Sequence, residues 1–397
     1  MPDRPPATAP ARDGAPSSAP GSRGALRRLF GGLPATASGR DLWAALGEAG
    51  LIEWMYPDGA VAAGVASERL AHVLAAAGER FSFGSTMSLC VQAATTLPLL
   101  AGGSGPCEEA LRRALAGQAV VALAATDTTA GSDLASLRTE ARLGEREAEL
   151  NGAKRWINNA MAAEYLLVLA RHRPGPHFTN FTWFLVPADA PGVTVRPSDT
   201  VLFDGSDTGD IDLDGVRLGN EHIIGRVGMG FAAFIRHIGP ERLAGALWSV
   251  ELCRGALDST LRWLKNRPYG NGTLWDLESV RQRFAKSLIA VHQLQGLCDR
   301  LRARVVDGHD NTAAAMLKAA AGTTVNHVME TCGQLQGSHG FSTGGVQQLR
   351  AQAAIFGISG GATEIVRSIV AESAQEELDR LRLPAEQDVP LSAPVAL

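Results

Sequence analysis

Between residues 241 and 264 the apolar positions Leu243, Leu247, Val250, Leu257, Leu261 and Leu264 step by 4, 3, 7, 4 and 3. That spacing puts six large side chains on one face of a helix at least six turns long. A stripe of this length must be buried by other helices. The sequence supplies them, with helical periodicity again at roughly 274–306, 311–336 and 361–382. The C-terminal part of the chain therefore reads as a helical bundle starting near residue 231.

Upstream the pattern changes. From 119 to about 230 the chain breaks into short β-prone stretches, VVALAA, EYLLVLARH, FTWFLVP, VTVRP and GDIDLDGVRL, separated by Gly, Pro and Asp. Asn151-Gly152, between EAEL and AKRWI, predicts a two-residue hairpin turn, since a type I′ turn needs positive φ at both central residues. This block reads as a small antiparallel barrel or sandwich. Residues 25–118 return to helical spacing in DLWAALGEAGLIEWM, SERLAHVLAAAGERF and CEEALRRALAGQ, the last with Gly117 as a C-terminal cap. Residues 1–24 contain six prolines and no apolar core, so they read as a disordered tail rather than a secretion signal. Residues 383–397 read the same way. The predicted class is α+β and multidomain, with boundaries at 25–118, 119–230 and 231–382.

A chain of 397 residues with 20% charged residues and a net charge of −4 is not built as a general nucleic-acid binder. No apolar run has the length of a membrane span. Five scattered cysteines without a CxxC fit core thiols in a reducing cytoplasm rather than a disulfide framework. The nine histidines lack metal-ligand spacing, and no metal is expected.

Two motifs invite over-reading. Asp210 to Glu221, DIDLDGVRLGNE, matches a calcium-loop pattern, but Arg217 stands where an apolar residue belongs and no helix precedes it. A β-hairpin with an acidic outer face is the expected structure. GMGFAA (Gly228, Gly230) has dinucleotide-like glycines without a βαβ unit around them.

Taken in order, several further stretches resemble the acyl-CoA dehydrogenase flavoproteins. TDTTAGSD (126–133) is similar to the family's TEPxxGSD turn. LNGAKRWINN (150–159) is similar to LNGxKxWITN, and LDGVRLGNEHIIGRVGMGF (213–231) to the exit from its β domain. RPYG (267–270) resembles RxxFG, one residue short. QLQGSHGF (334–341) resembles QxxGGxGY, and ISGGATEI (358–365) resembles IYEGTxEI. The resemblance spans about residues 40–380. It implies an N-terminal helical domain, a central β-barrel domain and a C-terminal four-helix bundle, with FAD between the last two.

Residue by residue, the resemblance implies that Thr126 and Ser132 hydrogen-bond the flavin and its phosphates from a tight turn. Trp156 would pack on the isoalloxazine, and Asn158 would replace a flavin-bonding Thr. Arg267 would pair with the pyrophosphate of a neighbouring subunit's FAD, and Gln334 and Gly337 would approach its adenosine end. Each has a plainer reading: Trp156 as a core residue, Ser132 as a helix cap, Arg267 as a solvated charge.

Desaturating an acyl thioester next to its carbonyl needs a base for the α-proton. Most of the family carries it as the glutamate of IYEGT, and that position here is Gly360. Glu364, four residues on, aligns with no catalytic position. Isovaleryl- and long-chain-type members carry the base instead on the first long C-terminal helix, in an ERL sequence. GPERLAGAL supplies Glu241, and Gly360 leaves room opposite. Arg242 then matches the arginine at the active-site end of the acyl tunnel. The plainer readings are a helix-start acid after Pro240 for Glu241 and a surface salt bridge for Arg242.

The implied function is FAD-dependent α,β-desaturation of an acyl thioester in a homodimer or homotetramer in the cytoplasm, with a flavoprotein or O2 as electron acceptor. Gly239, Ala362, Glu278 and Arg350-Ala351 depart from common family residues. A carrier-protein-bound acyl or aminoacyl group, in a specialised biosynthetic pathway, therefore stands beside acyl-CoA as the expected substrate. An oxidase or monooxygenase on the same fold and an inactive relative are the alternatives.

Overall fold

The computed structural model describes residues 20–200 and 202–382, so almost all of the two expected tails lies outside the described residues. The N-terminal region is helical, as its spacing predicts: α1 (Arg23–Gly31), α2 (Gly39–Glu48), α3 (Leu51–Trp54), α4 (Ser67–Gly78), α5 (Phe83–Val91), α6 (Leu97–Leu100) and α7 (Pro106–Leu115). α1 starts two residues before the expected boundary, where the Ser22 hydroxyl accepts from the Ala25 N–H. α2 opens with a reciprocal Ser38–Asp41 capping box. Gly117 closes α7 at φ +75°, with its N–H on the Ala114 carbonyl and that of Gln118 on Arg113. Those two bonds make a Schellman motif, which needs a residue tolerant of positive φ. Between α5 and α6 the helix widens into one π-turn, Gln92–Thr96.

The middle region forms one eight-stranded sheet: β1 (Val121–Ala124), β2 (Glu140–Leu143), β3 (Glu147–Ile157), β4 (Tyr165–Arg171), β5 (Phe181–Pro187), β6 (Val193–Pro197), β7 (Gly209–Gly219) and β8 (Ile223–Ile224). The order is β6-β7-β3-β2-β4-β5-β8, with β1 beside β4. The expected antiparallel barrel needs two corrections. β1 and β2 pair with β4 in parallel, and the end strands β6 and β8 do not pair with each other, so no hydrogen-bonded ring closes among the described residues.

Asn151-Gly152 is not a hairpin turn. β3 runs straight through it, and its pairing with β7 slips one residue there. The slip is a β-bulge whose extra residue lies on β7, where Asp214 and Gly215 stand opposite Asn151; Asn151 Oδ1 accepts from the Gly215 N–H at 2.8 Å, and Gly152 beside it sits at φ +146°. A Cβ on Gly152 would lie 2.7 Å from Thr139 Cα, so neighbouring backbone demands glycine here. The turn between β2 and β3 lies earlier, closed by the Gly144 N–H on the Glu147 carbonyl.

The predicted acidic hairpin at 210–221 is one strand, β7, followed by a short helical turn at Asn220–His222. Asp212 pairs with Arg155 at 2.7 Å and with Arg196, while Asp210 accepts from Ser198 and the Trp156 N–H. Cross-strand arginines use the carboxylates that the calcium pattern suggested.

The C-terminal region begins with α8 (Gly230–Asn266). A two-stranded hairpin, β9 (Pro268–Tyr269) and β10 (Gly272–Thr273), leads to α9 (Glu278–Val306), α10 (Asn311–Gln336), α11 (Val346–Ala353), α12 (Thr363–Glu372) and α13 (Ala374–Arg380). α10 packs against α8, α9 and α12. The helix expected at 361–382 is two, broken at Ser373, whose hydroxyl meets Thr312 at 3.0 Å. α8 starts ten residues before Pro240, so Glu241 is not a helix-start acid. Pro240 sits inside the helix, where it offers no N–H to the preceding turn. The Gly228 and Gly230 pair serves close packing: a Cβ on either would lie 2.6–2.8 Å from the carbonyl oxygens of Thr179 and Phe181.

The bulge yields the first prediction. Gly152→Ala lowers unfolding free energy by about 1–3 kcal/mol, because it adds both backbone strain and a clash with Thr139. A urea midpoint equal to that of the unmodified protein would contradict this account of β3.

Candidate active site

Glu241 projects from α8 into a cavity of about 70 Å³, partly open to solvent, between α5, α8, α10 and the 355–360 segment. Its Oε2 accepts a short hydrogen bond from Thr95 in the π-turn. The π geometry inserts an extra residue into the turn, a device often found at functional sites. Burial raises the Glu241 pKa; the Thr95 bond and the neighbouring Arg242 oppose that rise without cancelling it. A carboxylate held in this state is a stronger base than one in water.

The glycine pair faces it. Gly360 and Gly361 sit at φ +72° and +105°. A Cβ on Gly360 would lie 3.8 Å from Glu241 Oε1 and 3.9 Å from Lys318 Cε. A longer side chain would enter the space the carboxylate occupies. Arg242 is not in a surface salt bridge. Its Nε and Nη2 donate to the Gly360 carbonyl at 3.2 and 3.0 Å, and Nη1 donates to Asn311 Oδ1 at 3.1 Å. Adjacent residues of α8 thus supply a carboxylate at the cavity and a clamp on the turn opposite. Lys318 Nζ donates to the Phe356 carbonyl at 2.6 Å, with its pKa pushed down to about 8 mainly by burial. Glu364 is exposed on the first turn of α12 and does not line the cavity.

A second group of predicted residues meets this one through the backbone. Ser132 caps no helix of its own; its Oγ accepts from the Ala362 N–H at 2.9 Å, joining the 126–133 turn to the glycine turn. Asp127 is buried within its turn and accepts from the N–H groups of Thr129, Arg138 and Thr139. Beneath it the fully buried Lys154 donates to the Ala125 carbonyl at 2.8 Å, its pKa pushed down to about 7 by burial. Thr126 is half-buried, and its carbonyl receives the Arg155 N–H at 3.3 Å.

Trp156 is not a core residue: it is 60% exposed and held at φ +56°. Two residues on, Asn158 has both side-chain polar atoms buried and without a hydrogen-bond partner. Buried amides are ordinarily satisfied. An orphaned donor and acceptor beside an outward-facing indole fit the edge and face of a planar heteroaromatic group, as the resemblance to flavoproteins implies. Asn159, next in line, is satisfied through Ser88.

Arg267, Gln334 and Gly337 form a separate cluster. Arg267 is exposed at the end of α8, with its guanidinium 5.5 Å from the Trp263 ring. Trp263 stacks on His339 at 3.9 Å, which ties this end of α8 to the 337–341 turn. Gln334 is exposed, and Gly337 ends α10 at φ +56°. None of these three residues lines the Glu241 cavity. Sequence reasoning missed Thr95, Lys318 and the work of Lys154. Thr95 has no motif, and Lys318 sits in an alanine-rich helix; only Lys154, within the LNGAKRW match, carried a signal.

Residues 122–216 match the family model for the middle domain of acyl-CoA dehydrogenases, and residues 228–375 match that for the C-terminal domain. The chain is 29% identical to a cyclohex-1-ene-1-carbonyl-CoA dehydrogenase of Geobacter metallireducens, over 83% of this chain and 87% of that protein. It is also 29% identical to a cyclohexane-1-carbonyl-CoA dehydrogenase of the same organism, over 74% and 78%. Among solved structures, an acyl-CoA dehydrogenase from Geobacillus kaustophilus superposes with a TM-score of 0.80 at 21% identity, covering 89% of this chain and 96% of that one. The prolyl acyl carrier protein oxidase AnaB superposes with a TM-score of 0.79 at 19% identity, covering 89% and 97%. No helix among the described residues is long and apolar enough to cross a membrane. The chain belongs to the acyl-CoA dehydrogenase family, FAD-dependent oxidoreductases that act on CH–CH bonds.

Proposed function

We propose that this protein desaturates an acyl thioester between its α and β carbons with Glu241 as the base. The observation that carries the reading is the buried Glu241 carboxylate facing a side-chain-free Gly360 across a mostly apolar cavity. As carboxylate, Glu241 takes the α-proton at an oxygen, and its raised pKa strengthens it for that step. The Thr95 hydroxyl holds the other oxygen and orients the group. Arg242 fixes the Gly360 carbonyl and so the shape of the turn. The N–H groups of Gly360 and Gly361 have no acceptor among the described residues, which leaves them as donors for a thioester oxygen that gains charge.

Bound FAD supplies the two-electron acceptor for the β-hydrogen. Thr126, Ser132, Trp156 and Asn158 would hold it on the β side. Arg267, Gln334 and Gly337, lying apart, would serve the FAD of a second copy in a homo-oligomer. The substrate handle is a pantetheine thioester, on CoA as in the named Geobacter relatives or on a carrier protein as in AnaB.

Anaerobic mixing with acyl thioesters tests this directly. The flavin bleaches in the unmodified protein, and Glu241→Gln slows bleaching by about 10²–10⁴-fold or more while the purified protein stays yellow. Bleaching at full rate in that variant would remove Glu241 from the mechanism. The rate should also climb with pH through an apparent pKa above the ordinary carboxylate range, since only the carboxylate accepts the proton.

The same burial has a stability consequence. A carboxyl whose folded pKa is raised favours the folded state while protonated and opposes it as pH rises through that pKa. Glu241→Gln should therefore unfold at higher urea concentration than the parent at pH 8. The difference should vanish below the ordinary carboxylate range; equal midpoints at pH 8 would show that the buried charge costs nothing. Asn158→Leu should bind FAD at least about tenfold more weakly, as loss of a hydrogen-bonding pair predicts, measured by flavin fluorescence on dilution. Undiminished affinity would separate Asn158 from the cofactor.

A further inference from the structure

α8 turns one face to the cavity at Glu241, Gly245 and Trp248, spaced i, i+4 and i+7, and all three line it. From Glu241 to Trp248 the helix rises about 10 Å. Midway, Gly245 leaves open space, since a Cβ built on it meets no atom within 4 Å. At the far end Trp248 and Phe356 line the cavity, and Phe83 packs against both. Trp248 stacks on Phe83 of α5 at 5.1 Å and meets the edge of Phe356 at 5.1 Å. Phe83 and Phe356 touch edge to face at 6.1 Å, which completes a triangle. Phe203 packs behind Phe83 at 6.3 Å, so the floor is backed by a second layer.

We infer that Trp248 determines specificity by setting the depth of the acyl site, and that Gly245 sets its width. This rests on Glu241 as the base, because the acyl α-carbon must then sit at the Glu241 end. Allowing van der Waals contact with the indole leaves about 6 Å along the helix, room for roughly four to six carbons or one six-membered ring. The substrate class is a thioester of a short or single-ring acyl group, and long straight chains are excluded by the aromatic floor. The missing side chain at Gly245 gives a ring the lateral room that an unbranched chain does not need.

The test uses the FAD-loaded protein and three acyl groups, hexanoyl, cyclohexanecarbonyl and dodecanoyl, each offered on CoA and on a carrier protein. Anaerobic flavin bleaching is read as a second-order rate. The unmodified protein should prefer hexanoyl and cyclohexanecarbonyl over dodecanoyl by about 100-fold, the scale on which a pocket rejects a misfit. Trp248→Ala should cut that preference by about tenfold or more through faster dodecanoyl reduction, and Trp248→Leu should act in the same direction with less loss of packing. Gly245→Leu should lose cyclohexanecarbonyl more than hexanoyl. A flavin spectrum matching the parent's checks that each variant is folded. Equal bleaching by dodecanoyl in the unmodified protein, or an unchanged preference in both Trp248 variants, overturns the depth assignment while leaving the dehydrogenase reading intact. No bleaching by any thioester overturns the dehydrogenase reading and this assignment with it.

Discussion

A buried carboxylate is costly, and much of the C-terminal region is arranged around this one. Glu241 is kept in place by the Thr95 hydroxyl from the helical domain and by Arg242 beside it on α8. Neither is a full ion pair, so the carboxyl stays above its ordinary pKa rather than below it. A direct bidentate arginine would have stabilised the charge and lowered the carboxylate's affinity for a proton. Arg242 instead spends its donors on the Gly360 carbonyl and Asn311, neutral groups that leave the carboxylate's affinity for a proton high.

The same turn ties the cavity to the sheet. Ser132, in the buried-Asp127 turn that follows β1, receives the Ala362 N–H two residues beyond Gly360. A shift in the 126–133 turn would therefore be felt at the glycine turn and through it at Arg242. Lys154 supports that turn from below on β3, the strand that also carries the exposed Trp156 and ends one residue before the unsatisfied Asn158. The bulge at Gly152 lies two residues before Lys154. Its extra residue lies on β7, and β3 continues past it to Lys154 and Trp156.

Where sequence and structure part, long-range contacts outweighed local preference. Asn151-Gly152 has the composition of a tight turn, yet Thr139 packs so closely there that glycine is needed to continue the strand. Pro240 has the composition of a helix start, yet the packing of α8 against the sheet through Gly228 and Gly230 begins the helix ten residues earlier. The parallel pairing of β1 with β4 joins residues more than forty apart in the chain, and no turn signal reports such a contact.

Sequence alone determined the order of helical, β and helical regions, because the periods of 3.6 and 2 are properties of adjacent residues. It also carried the expectation that Gly360 stands at the family's common base position and Glu241 in its ERL segment, since both are matters of residue identity in a motif that resembles the family's. Only the tertiary structure decided that Glu241 and Gly360 face one another across a cavity, that a threonine from a π-turn 146 residues away holds the carboxylate, and that Trp248 and Phe356, packed on Phe83, line its far end. Those relations depend on helices packing side by side, and packing brings together residues whose separation along the chain carries no trace of the contact.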